Sequence, residues 1–535
     1  MSRKSFIRAS AGLTFLIIVL QSVWAMSMPA FRGPDEPHHV NSIMRIVSGD
    51  GWPEPGDAMV DPVIVQAGHE SGIITPGATH FTSTYRTRLL HSRPINPYFA
   101  DMVITPHDSR SPLYPVSKAD PAAHEVDQMT QHPPLYYAGG AAIVQAFDLQ
   151  DAPWDRLIQA LRLYGIALTI PLVPATIYTA RRLGASRHWS LLAGLVPLAI
   201  PQVFGITAVV TNDTLAIGTG ALVVAALAKA GTERITWKTV LLVGGALGLA
   251  LWSKGLLLAF GLPLVLVFLF ARHDTWKRRL TAALASGTIA LTIGFWWVLN
   301  LVRYGVVQPA GYSRPVPESW DPANASFTHY FSTAFRTFTT SFFSSFGWLE
   351  ADFPSAVTWG LLILFAAAIV WSVIQAGRAR TTYLILLSPF VGLIVLLYAQ
   401  GWFNYLSTSV VAGVQGRYLY PCLAAFGGIV LGLRRWGPRG YRAFGLFAIA
   451  TGMFGFVWLL RSCYPGPAVI DFARYADVVG VPVSAIIVML AAYLLATITL
   501  VSLVVRWSRG AAMPSEYQAT LVEEDAGAGD GRNEP

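Results

Sequence analysis

The chain has 535 residues, 53% of them hydrophobic and only 13% charged, about half the charged share of an ordinary soluble domain. Its long apolar runs have no polar segments of matching length to shelter them, which excludes a soluble globular protein. The net charge of +8 comes in short Lys/Arg clusters between apolar runs, so membrane-flanking cations account for the basicity and nucleic acid is not indicated as a partner.

In chain order, Arg3, Lys4 and Arg8 precede an apolar run from Ala11 to about Met28. The run is longer than the 7–15 residues of a secretory signal, so it reads as a signal anchor, with residues 1–10 as a cytoplasmic N-terminus. A crossing needs about 20 apolar residues, and spans are expected near 11–28, 157–180, 189–207, 214–230, 239–253, 256–271, 279–301, 356–376, 381–399, 418–433, 442–461 and 480–505. These twelve put every basic loop on the inside, from Arg181/Arg182 to Arg506/Arg509, as orientation by cations requires. Both flanks of the apolar stretch 239–271 are basic, so it must turn back on itself, as two short helices with Lys254 at the turn.

Residues 133–148 are apolar but too short to cross, and read as a re-entrant or interfacial helix. The large outer loops are then 30–132 and 302–355, and 506–535 is a disordered cytoplasmic tail. The whole is an all-α multi-pass protein of the cell membrane with both termini cytoplasmic. Cys422 and Cys463 make no disulfide framework and read as free thiols.

The first outer loop opens with Pro34-Asp35-Glu36-Pro37-His38-His39. Two carboxylates beside two imidazoles suit general-base work; equally, Asp35 could cap a helix that has Glu36 in its first turn. Eight of the eleven histidines lie in this loop, which leaves room for a divalent metal, although no His-x-x-x-His spacing supports one. The loop closes with His132-Pro133-Pro134-Leu135-Tyr136-Tyr137, where the prolines suit a helix start and the tyrosines suit interfacial anchors. Thr211-Asn212-Asp213 sits at an outer span end, as a cap or as a second acid. Lys254 and Arg417, the latter in Gln415-Gly416-Arg417-Tyr418, are outward cations that suit a phosphate. Ser345 to Glu350 ends an aromatic stretch that reads as interfacial belt or as a wall for lipid or sugar.

Together these motifs resemble, in order and over residues 12–505, the bacterial membrane-protein family known as domain of unknown function 2142. That family in turn resembles the GT-C glycosyltransferases, such as protein O-mannosyltransferases and lipid A aminoarabinose transferases. The resemblance implies a GT-C-like bundle of about 12 transmembrane helices. It implies a polyprenyl-phosphate-linked sugar as donor; the first loop departs from the family in size and histidine content, so the acceptor, expected to be an envelope glycan, lipid or protein, is not carried over from it. It puts a catalytic acid at Asp35, with Glu36 beside it, and matches His132 and Asn212-Asp213 to family motifs. His39, His132, Asn212, Asp213, Lys254, Arg417 and Tyr418 are the expected substrate-binding residues, with no metal ligand assigned. Two rival functions stay open: a transporter or flippase for lipid-linked sugars, and a lipid-linked glycan polymerase or ligase. Few spans carry a deep ionisable residue, which counts against a proton-coupled transporter.

Overall fold

The computed structural model describes residues 1–74, 81, 103–114, 125–271, 274–311, 316–467 and 469–511. Of these, seven helices are long and apolar enough to cross a membrane, or nine if each of two bent pairs makes one span. They are Arg3–Ser27, Trp154–Arg182, Asp213–Ala230, Ser355–Gln375, Gly377–Thr408, Gly416–Cys463 and Val483–Arg509. The bent pairs are Arg187–Ala199 with Pro201–Thr207 and Trp276–Ile293 with Trp296–Tyr304, kinked by 69° and 70°.

The predicted segments fall on helix, but the count of twelve does not carry over. The stretches at 239–253 and 256–271 are occupied by the helix Trp237–Leu251, a 3-10 turn Gly255–Phe260 and the helix Gly261–Leu269. Fifteen residues reach only about 22 Å at 1.5 Å each, against a hydrocarbon core of about 30 Å. The segments expected at 418–433 and 442–461 belong to one helical run from Gly416 to Cys463, broken at Gly437, whose φ is +54°. Two expected spans, 189–207 and 279–301, fall on the bent pairs. Apolar length alone does not report such bends, because a glycine or proline that interrupts helical hydrogen bonding leaves hydropathy almost unchanged.

Two apolar cores organise the chain. The larger lies among the long helices, around Trp24, Leu192, Phe204, Leu227 and Phe426. The smaller gathers Phe31, Val40, Ile43, Ile64, Tyr136, Tyr137 and Trp154, so the first loop folds against the helices instead of trailing from them. Its helices are Glu36–Val47 and Pro62–Glu70, and they meet the helix Leu135–Ala146, whose twelve residues fill the stretch predicted at 133–148. Tyr136 and Tyr137 are fully buried in this core, so they are packing residues and not interfacial anchors. The expected loop 302–355 contains a helix, Phe327–Phe343, and a two-stranded hairpin pairing Ser345–Phe346 with Ala351–Asp352. Cys422 and Cys463 are buried free thiols.

Candidate functional site

Asp35 occupies the N-cap position of Glu36–Val47, yet its side chain caps nothing. Its φ is +59°, a left-handed conformation that is uncommon outside glycine and tolerated best by Asp and Asn. The conformation turns the carboxylate away from the helix end. The capping role is therefore absent, and the strained backbone must be held by its surroundings.

Two clamps hold it. Behind Asp35, Glu36 is fully buried and accepts two hydrogen bonds from Arg162, each of 2.9 Å. Glu36 also accepts from the Val210 and Gly33 amides, at 2.8 and 3.3 Å. Arg162 spends its remaining donors on the carbonyls of Ala25, Met28 and Pro29, which close the end of the first long helix. In front, Trp348 Nε1 donates to the Phe31 carbonyl at 2.8 Å, and Glu350 pairs with buried Arg32 at 2.8 Å. The Phe346-Gly347-Trp348 motif is thus a brace for the Asp35 loop. Gly347 takes one of the hairpin's two positive-φ positions, at +67°, and Leu349 the other, at +62°.

The free carboxylate of Asp35 meets Arg417, Nη2 to Oδ2, at 3.5 Å. Arg417 also reaches Asp213 at 3.5 Å, and Lys254 holds the other oxygen of Asp213 at 2.5 Å. Both cations lie over the Tyr418 ring, at 5.2 and 5.5 Å from its centre. Oδ1 of Asp35 is buried without a hydrogen-bond partner among the described residues, a position that favours an incoming hydroxyl. Arg417 is the second residue of a 3-10 helix, Gly416–Ile429, that packs closely on Phe327–Phe343. A side chain at Gly416 would collide with the Phe338 carbonyl and the Phe342 side chain, which explains the glycine before Arg417. Lys254 stands at the break between Trp237–Leu251 and the 3-10 turn, as its sequence position suggested.

Asp35, His39, His132, Lys254, Arg417 and Tyr418 all line one cavity of about 930 Å³. Asp213 stands behind its cations, and Asn212 donates to the Ser253 carbonyl at 3.4 Å beside Lys254; neither lines the cavity. Glu36, named with Asp35 from the sequence, lies elsewhere, with its oxygens committed to the Arg162 clamp. Residues that sequence reasoning missed are Arg162, Glu125 and Arg32. A lone arginine inside the apolar stretch 157–180 was the available signal for the first.

The imidazoles divide into two electrostatic classes. Burial and the nearby Lys254 charge pull His132 down to about 3 and hold His39 well below the usual imidazole range. Both are neutral at pH 7, and His39 shares a 3.0 Å hydrogen bond with the Tyr137 hydroxyl. Burial also works against the charged form of His38, but the carboxylate of Glu125 at 3.0 Å outweighs it and raises His38 to about 9. A folded-state value above the unfolded 6.5 stabilises fully below pH 6.5 and is lost as pH rises through about 9. Hydrogen exchange of the helix Glu36–Val47 should therefore accelerate between pH 7 and 9.5 beyond the intrinsic chemical rate, and His38→Gln should remove the excess. A pH-independent opening equilibrium in the wild type would refute the ion pair.

Eight loop histidines prompted the thought of a metal. Among the described residues no group of three His, Cys, Asp or Glu could hold one. His80, His91 and His124 lie outside the described residues.

The site is a charged, half-enclosed cavity in a multi-pass helical membrane protein. The profile of the family described as Predicted membrane protein (DUF2142) matches residues 18–425, and the chain belongs to that family. A comparison with curated proteins finds no match. Among solved structures, the chain is similar to ArnT from Cupriavidus metallidurans bound to undecaprenyl phosphate. The identity is 18%, with 93% of this chain and 74% of that one covered, at a TM-score of 0.46. The apo state of the same protein gives 18%, 94%, 75% and 0.47. The Archaeoglobus fulgidus oligosaccharyltransferase in its apo form gives 11% identity over 96% of this chain and 57% of that one, at 0.40.

Proposed function

We propose that the protein is a GT-C-type glycosyltransferase that moves a sugar from a polyprenyl-phosphate donor to an acceptor hydroxyl of the cell envelope, at a site on the extracytoplasmic face. The reading is carried by one observation: Asp35, Arg417, Asp213 and Lys254 form a continuous charged chain at a single cavity.

In this reaction the acceptor oxygen forms a bond to the sugar's anomeric carbon while the bond from that carbon to the phosphate oxygen breaks. The proton of the acceptor hydroxyl passes to Asp35, and the polyprenyl phosphate leaves with the electron pair. A lipid phosphate needs no strong general acid to depart, which suits a site whose lining imidazoles are neutral. Lys254 and Arg417 offset the charge that grows on the leaving phosphate, an effect strongest where water is excluded. Asp213 fixes both cations, and Tyr418 lies beneath them. Nucleotide sugars are cytoplasmic, so an outward site calls for a lipid-linked donor.

The test is purified protein given a polyprenyl-phosphate sugar and envelope extract, scored for a new glycosidic bond and for released polyprenyl phosphate. Lys254→Ala and Arg417→Ala are expected to raise the donor KM or lower kcat by about 10²-fold or more, as loss of a charge-stabilising donor does. Donor kinetics unchanged in both variants would remove the phosphate clamp. Movement of labelled lipid across vesicles with no bond formed would favour a flippase.

A further inference from the structure

The charged chain accounts for only part of the cavity. Another part of its wall is the helix Phe327–Phe343, whose polar contributions are Ser332, Thr333, Arg336, Thr337 and Thr340. At 100° per residue these five gather on one face, centred about 170° from the face that carries Phe327, Phe331, Phe335, Phe338 and Phe342. The aromatic face is engaged with other rings, Phe331 with Tyr398, Phe335 with Trp359 and Phe342 with Phe390. The polar face meets Gln400 and Asn404, one turn apart on the helix Arg380–Thr408, across the same cavity. Arg336 is exposed, and its guanidinium has no ion-pair partner among the described residues. The carboxylates that do line the cavity are engaged elsewhere. Glu125 takes His38 and the Phe81 amide, Asp352 accepts from Ser345, and Asp35 faces Arg417.

We infer that this wall is the acceptor subsite and that the acceptor is an acidic glycan, its hydroxyls bonded by the Thr/Ser stripe with Gln400 and Asn404, and its anionic group read by Arg336. Leu397, Val410, Val411 and Val414, apolar residues of the lining, lie off this helix, which turns its aromatic face away from the cavity and its hydroxyls toward it. A neutral sugar would leave Arg336 without a partner. Hydroxyls and planar amides in alternation match the donors and acceptors of a sugar ring, and a guanidinium matches a carboxylate or phosphate in two-point geometry. The inference rests on the glycosyltransferase reading for the word acceptor, but it is tested by binding, which needs no chemistry.

The full-length protein in lipid nanodiscs is titrated with tetragalacturonate, with its carboxyl-reduced neutral counterpart, and with a tetrasaccharide carrying one phosphate monoester. At least one anionic probe should bind tenfold or more tightly than the neutral one, and which of the two does so separates carboxylate from phosphate. Arg336→Gln should bring that probe to the neutral probe's affinity, Arg336→Lys should recover part of the difference, and Thr337→Val should weaken all three. An unchanged gel-filtration profile and melting temperature guard against misfolding. Equal binding of charged and neutral probes, or an Arg336→Gln variant that keeps the preference, overturns the inference. If the preference holds but no glycosidic bond forms in the donor assay, the subsite stands and the enzyme reading fails.

Discussion

Asp35→Asn is expected to lower sugar transfer by roughly 10²–10⁴-fold, the usual contribution of a positioned general base, with the protein still folded. The amide keeps the size of the carboxylate and tolerates the left-handed backbone, so the φ of +59° is no obstacle to folding. What is lost is the acceptor for the hydroxyl proton and the negative charge facing Arg417 at 3.5 Å. The loss should therefore fall on kcat, with donor binding little changed. Steady-state kinetics on purified wild type and variant, with matched melting curves, measure both. Transfer at a wild-type rate would take Asp35 out of the mechanism, and Asp213 would then be the carboxylate to test. The structure ranks Asp213 second, because Lys254 at 2.5 Å and Arg417 already occupy it and it does not line the cavity.

The second large effect is on stability. Arg162→Ala should destabilise the fold by about 3–5 kcal/mol, the cost of leaving one member of a buried ion pair alone. The variant strands Glu36 in a fully buried position and frees the carbonyls of Ala25, Met28 and Pro29 at once. Glu36→Gln should be milder, because its single amide oxygen can still accept from the Val210 amide and Arg162 keeps its three carbonyls. The double variant Glu36→Gln/Arg162→Met should recover only part of the loss, since removing the charge pair does nothing for the three carbonyls. Thermal unfolding in detergent orders the three variants. If Arg162→Ala melts with the wild type, the clamp has no energetic role and the strain at Asp35 needs another support. Activity should fall in the same order, because the clamp adjoins Asp35, the carboxylate proposed as the base.

The two carboxylates of Asp35-Glu36 show how far local sequence can go. Adjacent in the chain, they are equivalent as candidates, and their spacing gives no reason to prefer either. Tertiary structure separates them: Glu36 enters the helix Glu36–Val47 and turns into an arginine pocket, while Asp35 remains outside the helix and faces the cavity. The tyrosines at 136 and 137 fail for a related reason. Their position after a Pro-Pro pair suits a membrane interface, yet a neighbouring loop covers them, and a burial made by distant segments leaves no trace in the local pattern.

From the sequence alone came the membrane class, the positions of the apolar segments, the break at Lys254 and a short set of polar motifs worth attention. These are legible because a bilayer imposes a local rule: a segment that must satisfy its backbone in hydrocarbon has to be helical and apolar over its own length. Only the tertiary structure decided that helices bend near 200 and 295, that Glu36 is buried against Arg162, and that Asp35 meets Arg417 across 382 positions of chain. A contact at that separation depends on how all the intervening helices pack, and packing is set by side-chain shape summed over the whole bundle, which no short stretch of residues records.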